Sequence, residues 1–147
     1  KRIGAPMSIG DRCCETAGEG SADRWPRLVM RKTCIIVDDI CDTAGTLCKA
    51  AEVLIEAGAV EVHSYITHGV LSGPAVERIK NSVMKSLVIT DSIEPTDAVR
   101  ATSNIRIVPT APMFAQAILN TWNGTSVSSL FDMETLTPIY EGFYPRD

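Results

Sequence analysis

A chain of 147 residues with 14 Lys and Arg against 18 Asp and Glu, a net charge of -4, is long enough for one domain with its own core but has no basic stripe for nucleic acid or an anionic membrane. An anionic ligand must therefore be captured locally, by a few placed groups. The apolar runs fall far short of the roughly 20 residues of a spanning helix, and Cys13, Cys14, Cys34, Cys41 and Cys48, odd in number and without C-x-x-C or zinc spacing, fit a reducing compartment such as the cytoplasm.

In chain order, residues 1–27 hold Gly4, Pro6, Gly10, Gly18, Gly20 and Pro26 with few periodic apolar positions, the mark of a long mobile loop. Opening on Lys1-Arg2 with no strand before it, the chain reads as cut from something longer. Residues 33–37 are an apolar, β-branched run that suits a strand buried on both faces of a parallel sheet. After a turn over 38–45, Leu47, Ala50, Ala51, Leu54 and Ile55 recur at helical spacing, and Gly58 stands where a helix stops. Strands are predicted over 60–67, 87–90 and 105–108, with helices over 74–81 and 113–121, the last ending near Asn123-Gly124. This alternation implies an α/β domain over 28–131, a parallel sheet with flanking helices. Residues 132–147, with Pro138, Gly142 and Pro145, read as an extended or partly disordered tail.

Chemistry concentrates in residues 34–46, where a buried strand runs into Asp38-Asp39, a small-residue turn and a helix start. Ligands of parallel sheets bind at the carboxyl ends of the strands, and a helix beginning near Thr46 aims unpaired N–H groups and a positive dipole end outward. A phosphate there can accept bonds from the amides of 43–46 and from the Thr43 and Thr46 hydroxyls, while Gly45 lets the backbone come close. Asp38 and Asp39 suit the vicinal hydroxyls of a sugar, so a pentose phosphate fits at both ends. Taken singly, the acids read as a solvated loop and Thr43 as a helix cap. A receiver domain also ends its first strand in an acidic pair, but the run at 60–67 ends in Thr67-His68 with no acceptor Asp.

All 13 residues from Cys34 to Thr46 resemble the phosphoribosyl pyrophosphate (PRPP) binding motif of type I phosphoribosyltransferases and PRPP synthetases, the ribose-phosphate pyrophosphokinases. Three later stretches resemble the synthetases: residues 67–75 (THGVLSGPA), 90–93 (TDSI) and 123–131 (NGTSVSSLF). The resemblance implies a type I phosphoribosyltransferase-like fold and the C-terminal half of an enzyme that moves diphosphate from ATP to C1 of ribose 5-phosphate, giving PRPP and AMP. The other half, before Lys1, would carry the ATP site, and this half alone would not turn over. Asp38 and Asp39 would bind the ribose hydroxyls, and Asp42, Thr43, Ala44, Gly45 and Thr46 would form the 5-phosphate loop. Mg²⁺ would accompany the phosphates, with no metal ligand assigned in this chain.

The family also places a Lys and an Arg two residues apart on a loop before the strand, as catalytic cations. Here the order is Lys1-Arg2-Ile3, so Lys1 and Arg2 cannot both occupy those positions, and Arg2 is the better placed. Ser126, Ser128 and Phe131 would belong to a regulatory site for phosphate or nucleoside diphosphate at a subunit contact of a homo-oligomer. The alternative for them is a serine-rich turn with Phe131 in the core. Other readings of the chain are a non-catalytic synthetase-associated subunit, favoured by the unusual residues 1–27, and a phosphoribosyltransferase, which would need residues covering a base. His68 reads as structural, Cys41 and Cys48 as small packing residues, and Trp25 and Trp122 as core or interface anchors.

Overall fold

The computed structural model describes residues 29–141, so Lys1, Arg2, Trp25 and the expected loop over 1–27 lie outside the described residues. These divide into two compact units, one ending at Val108 and one beginning at Pro109.

The first unit alternates strand and helix: β1 (Thr33–Cys41), α1 (Gly45–Glu56), β2 (Glu61–Gly69), α2 (Ala75–Lys80), β3 (Ser86–Thr90), α3 (Asp97–Arg100) and β4 (Ile105–Val108). The four strands are parallel and lie in the order β1-β2-β3-β4. Each strand is laid beside the one before it, so right-handed crossovers put the helices on one face. Leu47 and Ala51 of α1, Ala75 and Ile79 of α2 and Val99 of α3 close over Val62, Ile66, Leu87, Ile89 and Ile105 of the sheet.

The opposite face corrects the expectation that the first strand is buried on both sides. Ile35 and Val37 of β1 and Tyr65 of β2, paired as Ile35↔His63 and Val37↔Tyr65, are 57%, 76% and 46% exposed. The strand is also longer than its apolar run. Pairing continues through Asp38↔Ile66, Ile40↔His68 and Cys41↔Gly69, so the two acids belong to the strand rather than to the following turn. α1 stops where glycine predicts: Ala57 caps it, Gly58 has φ 96, and the amides of Gly58 and Ala59 return to the Ile55 and Leu54 carbonyls at 2.9 and 3.0 Å.

In the second unit, α4 (Ala111–Trp122) carries Pro112 in its first turn and ends at Asn123-Gly124, where Gly124 has φ 63. A 3₁₀ turn (Val127–Phe131) follows, then α5 (Met133–Glu141) where an extended tail was expected. Pro138 inside α5 hides its period in the sequence, yet Thr135, Leu136, Ile139 and Tyr140 form a half-buried stripe. The Tyr140 hydroxyl donates to the Pro109 carbonyl at 3.1 Å. Among the described residues no helix is long and apolar enough to cross a membrane.

Candidate functional site

The site is built around the end of β1. Asp38 and Asp39 are both exposed, and as consecutive strand residues they leave the backbone on opposite sides. Their oxygens differ in availability: Asp38 Oδ1 accepts the Asp39 amide at 2.9 Å, whereas the Asp39 carboxylate has no partner among the described residues. Beyond Cys41 the chain turns sharply. Ala44 is buried and adopts the left-handed conformation (φ 60, ψ 6), after which Gly45 begins α1. Ala44 occupies the cap position, and α1 has no side-chain cap and no acid in its first turn. Thr43 is therefore not a helix cap.

Polar groups in this loop are split by direction. Its carbonyls are taken: Cys41 O accepts from Leu71 N at 3.1 Å, Asp42 O from Ser72 N at 3.1 Å, Thr43 O from Arg78 Nη1 at 2.9 Å and Ala44 O from Cys48 N at 3.0 Å. The amides of Thr43, Gly45, Thr46 and Leu47 find no acceptor among the described residues. The Ala44 amide lies near the Cys41 thiol and favours its ionised form, though burial outweighs it. The hydroxyls of Thr43 and Thr46, both on exposed residues, likewise have no partner there. An uncapped helix start with free amides carries the positive end of the dipole, which an anion relieves.

Gly45 needs neither a left-handed backbone nor space from the protein. A Cβ added to it would meet Arg78 Nη1 at 3.5 Å, ordinary contact, so the fold itself does not require a glycine there. Asp42 is committed to the loop: its carboxylate accepts a short hydrogen bond from the Ser72 hydroxyl. That suits shaping of the loop rather than proton transfer. Burial, chiefly, pushes the Cys41 thiol up to about 11 and raises those of Cys34 and Cys48, which keeps all three protonated and unreactive.

Leu71 and Ser72 fall in the stretch 67–75 that the resemblance singled out, but their part in holding the loop was not read from the sequence, and Arg78 was not picked out at all. They lie about 30 residues downstream, and neither spacing nor composition links them to it. Their connection is itself constrained. Leu71 is buried at φ 49, and a Cβ on Gly69 would come within 2.8 Å of Ile89 Cδ1. Beside it, Thr90 Oγ1 and Ser92 Oγ donate to Thr67 O at 2.7 and 3.1 Å, and His68 Nδ1 lies 2.9 Å from Ser92 Oγ. His68 thus ties the ends of β2 and β3 together.

The second unit holds the other expected site. Ser126 Oγ accepts the Ser128 amide at 3.1 Å and caps the 3₁₀ turn, while Asn120 Nδ2 holds Ser126 O at 3.0 Å. Ser128 is exposed and its hydroxyl has no partner among the described residues. Phe131 is 88% and Trp122 87% exposed, so neither ring is in a core. Among the described residues no group of three or more His, Cys, Asp or Glu could hold a metal ion.

A parallel sheet with an uncapped helix start at the end of its first strand is the frame of a phosphate-binding α/β domain. Residues 28–132 match the family model described as the phosphoribosyl synthetase-associated domain, and the chain belongs to that family. It is 74% identical over 146 residues to a ribose-phosphate pyrophosphokinase of Cereibacter sphaeroides, covering 99% of this chain and 44% of that protein. A protein of the same name from Bradyrhizobium diazoefficiens is 53% identical over 132 residues, 90% of this chain and 42% of the relative. The chain thus spans less than half the length of these relatives. Among solved structures, phosphoribosylpyrophosphate synthetase from Mycobacterium smegmatis superposes with a TM-score of 0.62 at 33% identity, over 65% of this chain and 32% of that one.

Proposed function

We propose that this chain is the ribose 5-phosphate half of a ribose-phosphate diphosphokinase, which transfers diphosphate from ATP to C1 of ribose 5-phosphate and works in the cytoplasm. The observation that carries the reading is the divided loop, with every carbonyl from Cys41 to Ala44 bonded and the amides of Thr43, Gly45, Thr46 and Leu47 without an acceptor among the described residues, at an uncapped helix start. The 5-phosphate sits against those amides and the Thr43 and Thr46 hydroxyls. Asp39, and Asp38 through its second oxygen, receive the ribose hydroxyls.

The C1 hydroxyl then attacks the β-phosphorus of ATP and AMP leaves, so the loop works by holding the sugar in line for the attack. Mg²⁺ in such reactions is held largely by substrate phosphates with one or two carboxylates, for which Asp38 and Asp39 are the oxygens on offer. ATP is held by the remainder of the protein, with Arg2 or Lys1 supplying positive charge. The working enzyme is a homo-oligomer, regulated by phosphate or nucleoside diphosphate at Ser126, Ser128 and Phe131.

Asp39→Ala in the full-length protein is the direct test. Losing an acceptor that bonds the sugar diol costs about 1.5 to 3 kcal/mol, so the ribose 5-phosphate KM rises roughly 10- to 100-fold at saturating ATP while the ATP KM stays put. An unchanged sugar-phosphate KM rules the role out.

A further inference from the structure

We infer that Arg78 is a positioning residue for the 5-phosphate loop, acting by clamping the Thr43–Ala44 peptide so that Ala44 stays left-handed and the amides of Gly45 and Thr46 stay aimed at the ligand. The inference rests on the sugar-phosphate reading of the loop and adds to it a residue that the motif does not contain.

Arg78 lies on α2 and is exposed, a setting in which an arginine is ordinarily solvated or ion-paired. Instead it donates from Nη1 to the Thr43 carbonyl at 2.9 Å, across 35 residues of sequence. Because the peptide is planar and trans, its C=O and the next N–H point in opposite directions. The Thr43–Ala44 peptide is held at its carbonyl by Arg78, and its N–H therefore faces the other way, toward the side of Cys41.

That orientation fixes ψ of Thr43 and φ of Ala44, and φ is 60 at a residue with a Cβ. Left-handed backbone is disfavoured for alanine, so the conformation persists only because its surroundings impose it. The two carbonyls before it are fixed by Leu71 and Ser72, which leaves Arg78 as the side chain that sets the last peptide before the helix. Were Ala44 to relax to negative φ, α1 would start in another direction and its free amides would no longer converge.

A direct role for the guanidinium as a cation facing the phosphate is the competing account, since Nη1 also lies 3.5 Å from where a Gly45 Cβ would stand. The two accounts separate through Ala44→Gly, because glycine adopts positive φ without penalty and does not need the clamp.

The test measures KM and kcat for ribose 5-phosphate, and the ATP KM, in the full-length protein. Arg78→Met keeps the apolar stem and removes the donors; Arg78→Gln repeats the measurement should the methionine variant not fold. The expected outcome is a rise of about tenfold in sugar-phosphate KM, a smaller change in kcat, an unmoved ATP KM, and recovery of most of the loss in Arg78→Lys, which keeps a donor. In the Ala44→Gly background the same Arg78→Met step should cost about threefold or less, since the strain it released is gone. An equal loss in both backgrounds overturns the clamp and leaves Arg78 a direct cation, and no change in KM for Arg78→Met overturns any role. Asp39→Ala, run alongside, tells the failures apart. If it raises the KM and Arg78→Met does not, only the inference about Arg78 falls; if neither does, the sugar-phosphate reading falls with it.

Discussion

The loop after β1 and the turn after α4 are made of similar parts. Each has a glycine, hydroxyl side chains and a helical start: Gly45 with Thr43 and Thr46 in one, Gly124 with Thr125, Ser126, Ser128 and Ser129 in the other. They use these parts in opposite ways. In the turn, Ser126 Oγ takes the Ser128 amide, Thr125 N and Oγ1 both reach Asn120 O at 2.8 and 3.1 Å, and Asn120 in turn holds Ser126 O. In the loop, Leu71, Ser72 and Arg78 take the carbonyls of Cys41, Asp42 and Thr43, and the amides of Gly45, Thr46 and Leu47 have no acceptor among the described residues. The same residue types thus serve a cap in one place and the proposed anion site in the other, and the direction of the unpaired groups separates them.

Substitution at glycine breaks that comparison most sharply. Gly45→Val places a branched side chain where the proposed 5-phosphate would approach the amides, but its Cβ meets only ordinary contacts within the protein. A rise of about a hundredfold in ribose 5-phosphate KM with the melting temperature within a few degrees is expected, since two or more charge-assisted bonds are lost. A large fall in melting temperature with an unchanged KM would mean that Gly45 serves the fold instead. Gly69→Ala should behave in the reverse manner. Its Cβ would lie 2.8, 3.0 and 3.2 Å from three atoms of the buried Ile89 side chain, so overpacking costs about 1–3 kcal/mol of stability. Chemical denaturation reads that loss directly. A destabilisation smaller than measurement error would show that Ile89 can move aside.

The sequence made the loop legible because its residue types are local: an apolar strand, small residues and a helix start fall within 34–46, and the order of strands and helices follows from periodicity. What supports the loop was not legible. Leu71, Ser72 and Arg78 reach it because parallel pairing brings the end of β2 beside the end of β1; the resemblance marked the stretch 67–75, but nothing in its residue types announces that it holds the loop, and Arg78 lies outside it. Asp38 and Asp39 read as turn residues since acids are poor strand formers, yet the ladder carries the strand past them to Cys41. Pro138 broke the helical period of α5, whose half-buried stripe is visible only once the backbone is known. Expecting β1 to be buried on both faces assumed helices on both sides, whereas the crossovers within the first unit supply them on one.

The smallest effect expected concerns Ser128, and it sharpens the comparison by asking whether the turn keeps any capacity for an anion. Its amide is consumed by the Ser126 cap, but its exposed hydroxyl is free among the described residues, and Phe131, three residues on, is 88% exposed. If the segment forms a regulatory site, Ser128→Ala shifts inhibition by nucleoside diphosphate or activation by phosphate about tenfold, the size of a lost bond to a charged group, and leaves the ribose 5-phosphate KM alone. The Ser126 cap survives the substitution, so stability should change by less than about 0.5 kcal/mol. Inhibition curves for wild type and Ser128→Ala at fixed, saturating substrates decide the matter. Superimposable curves would make the turn a capped helix start and nothing more, because the one hydroxyl left over would then have no ligand to meet.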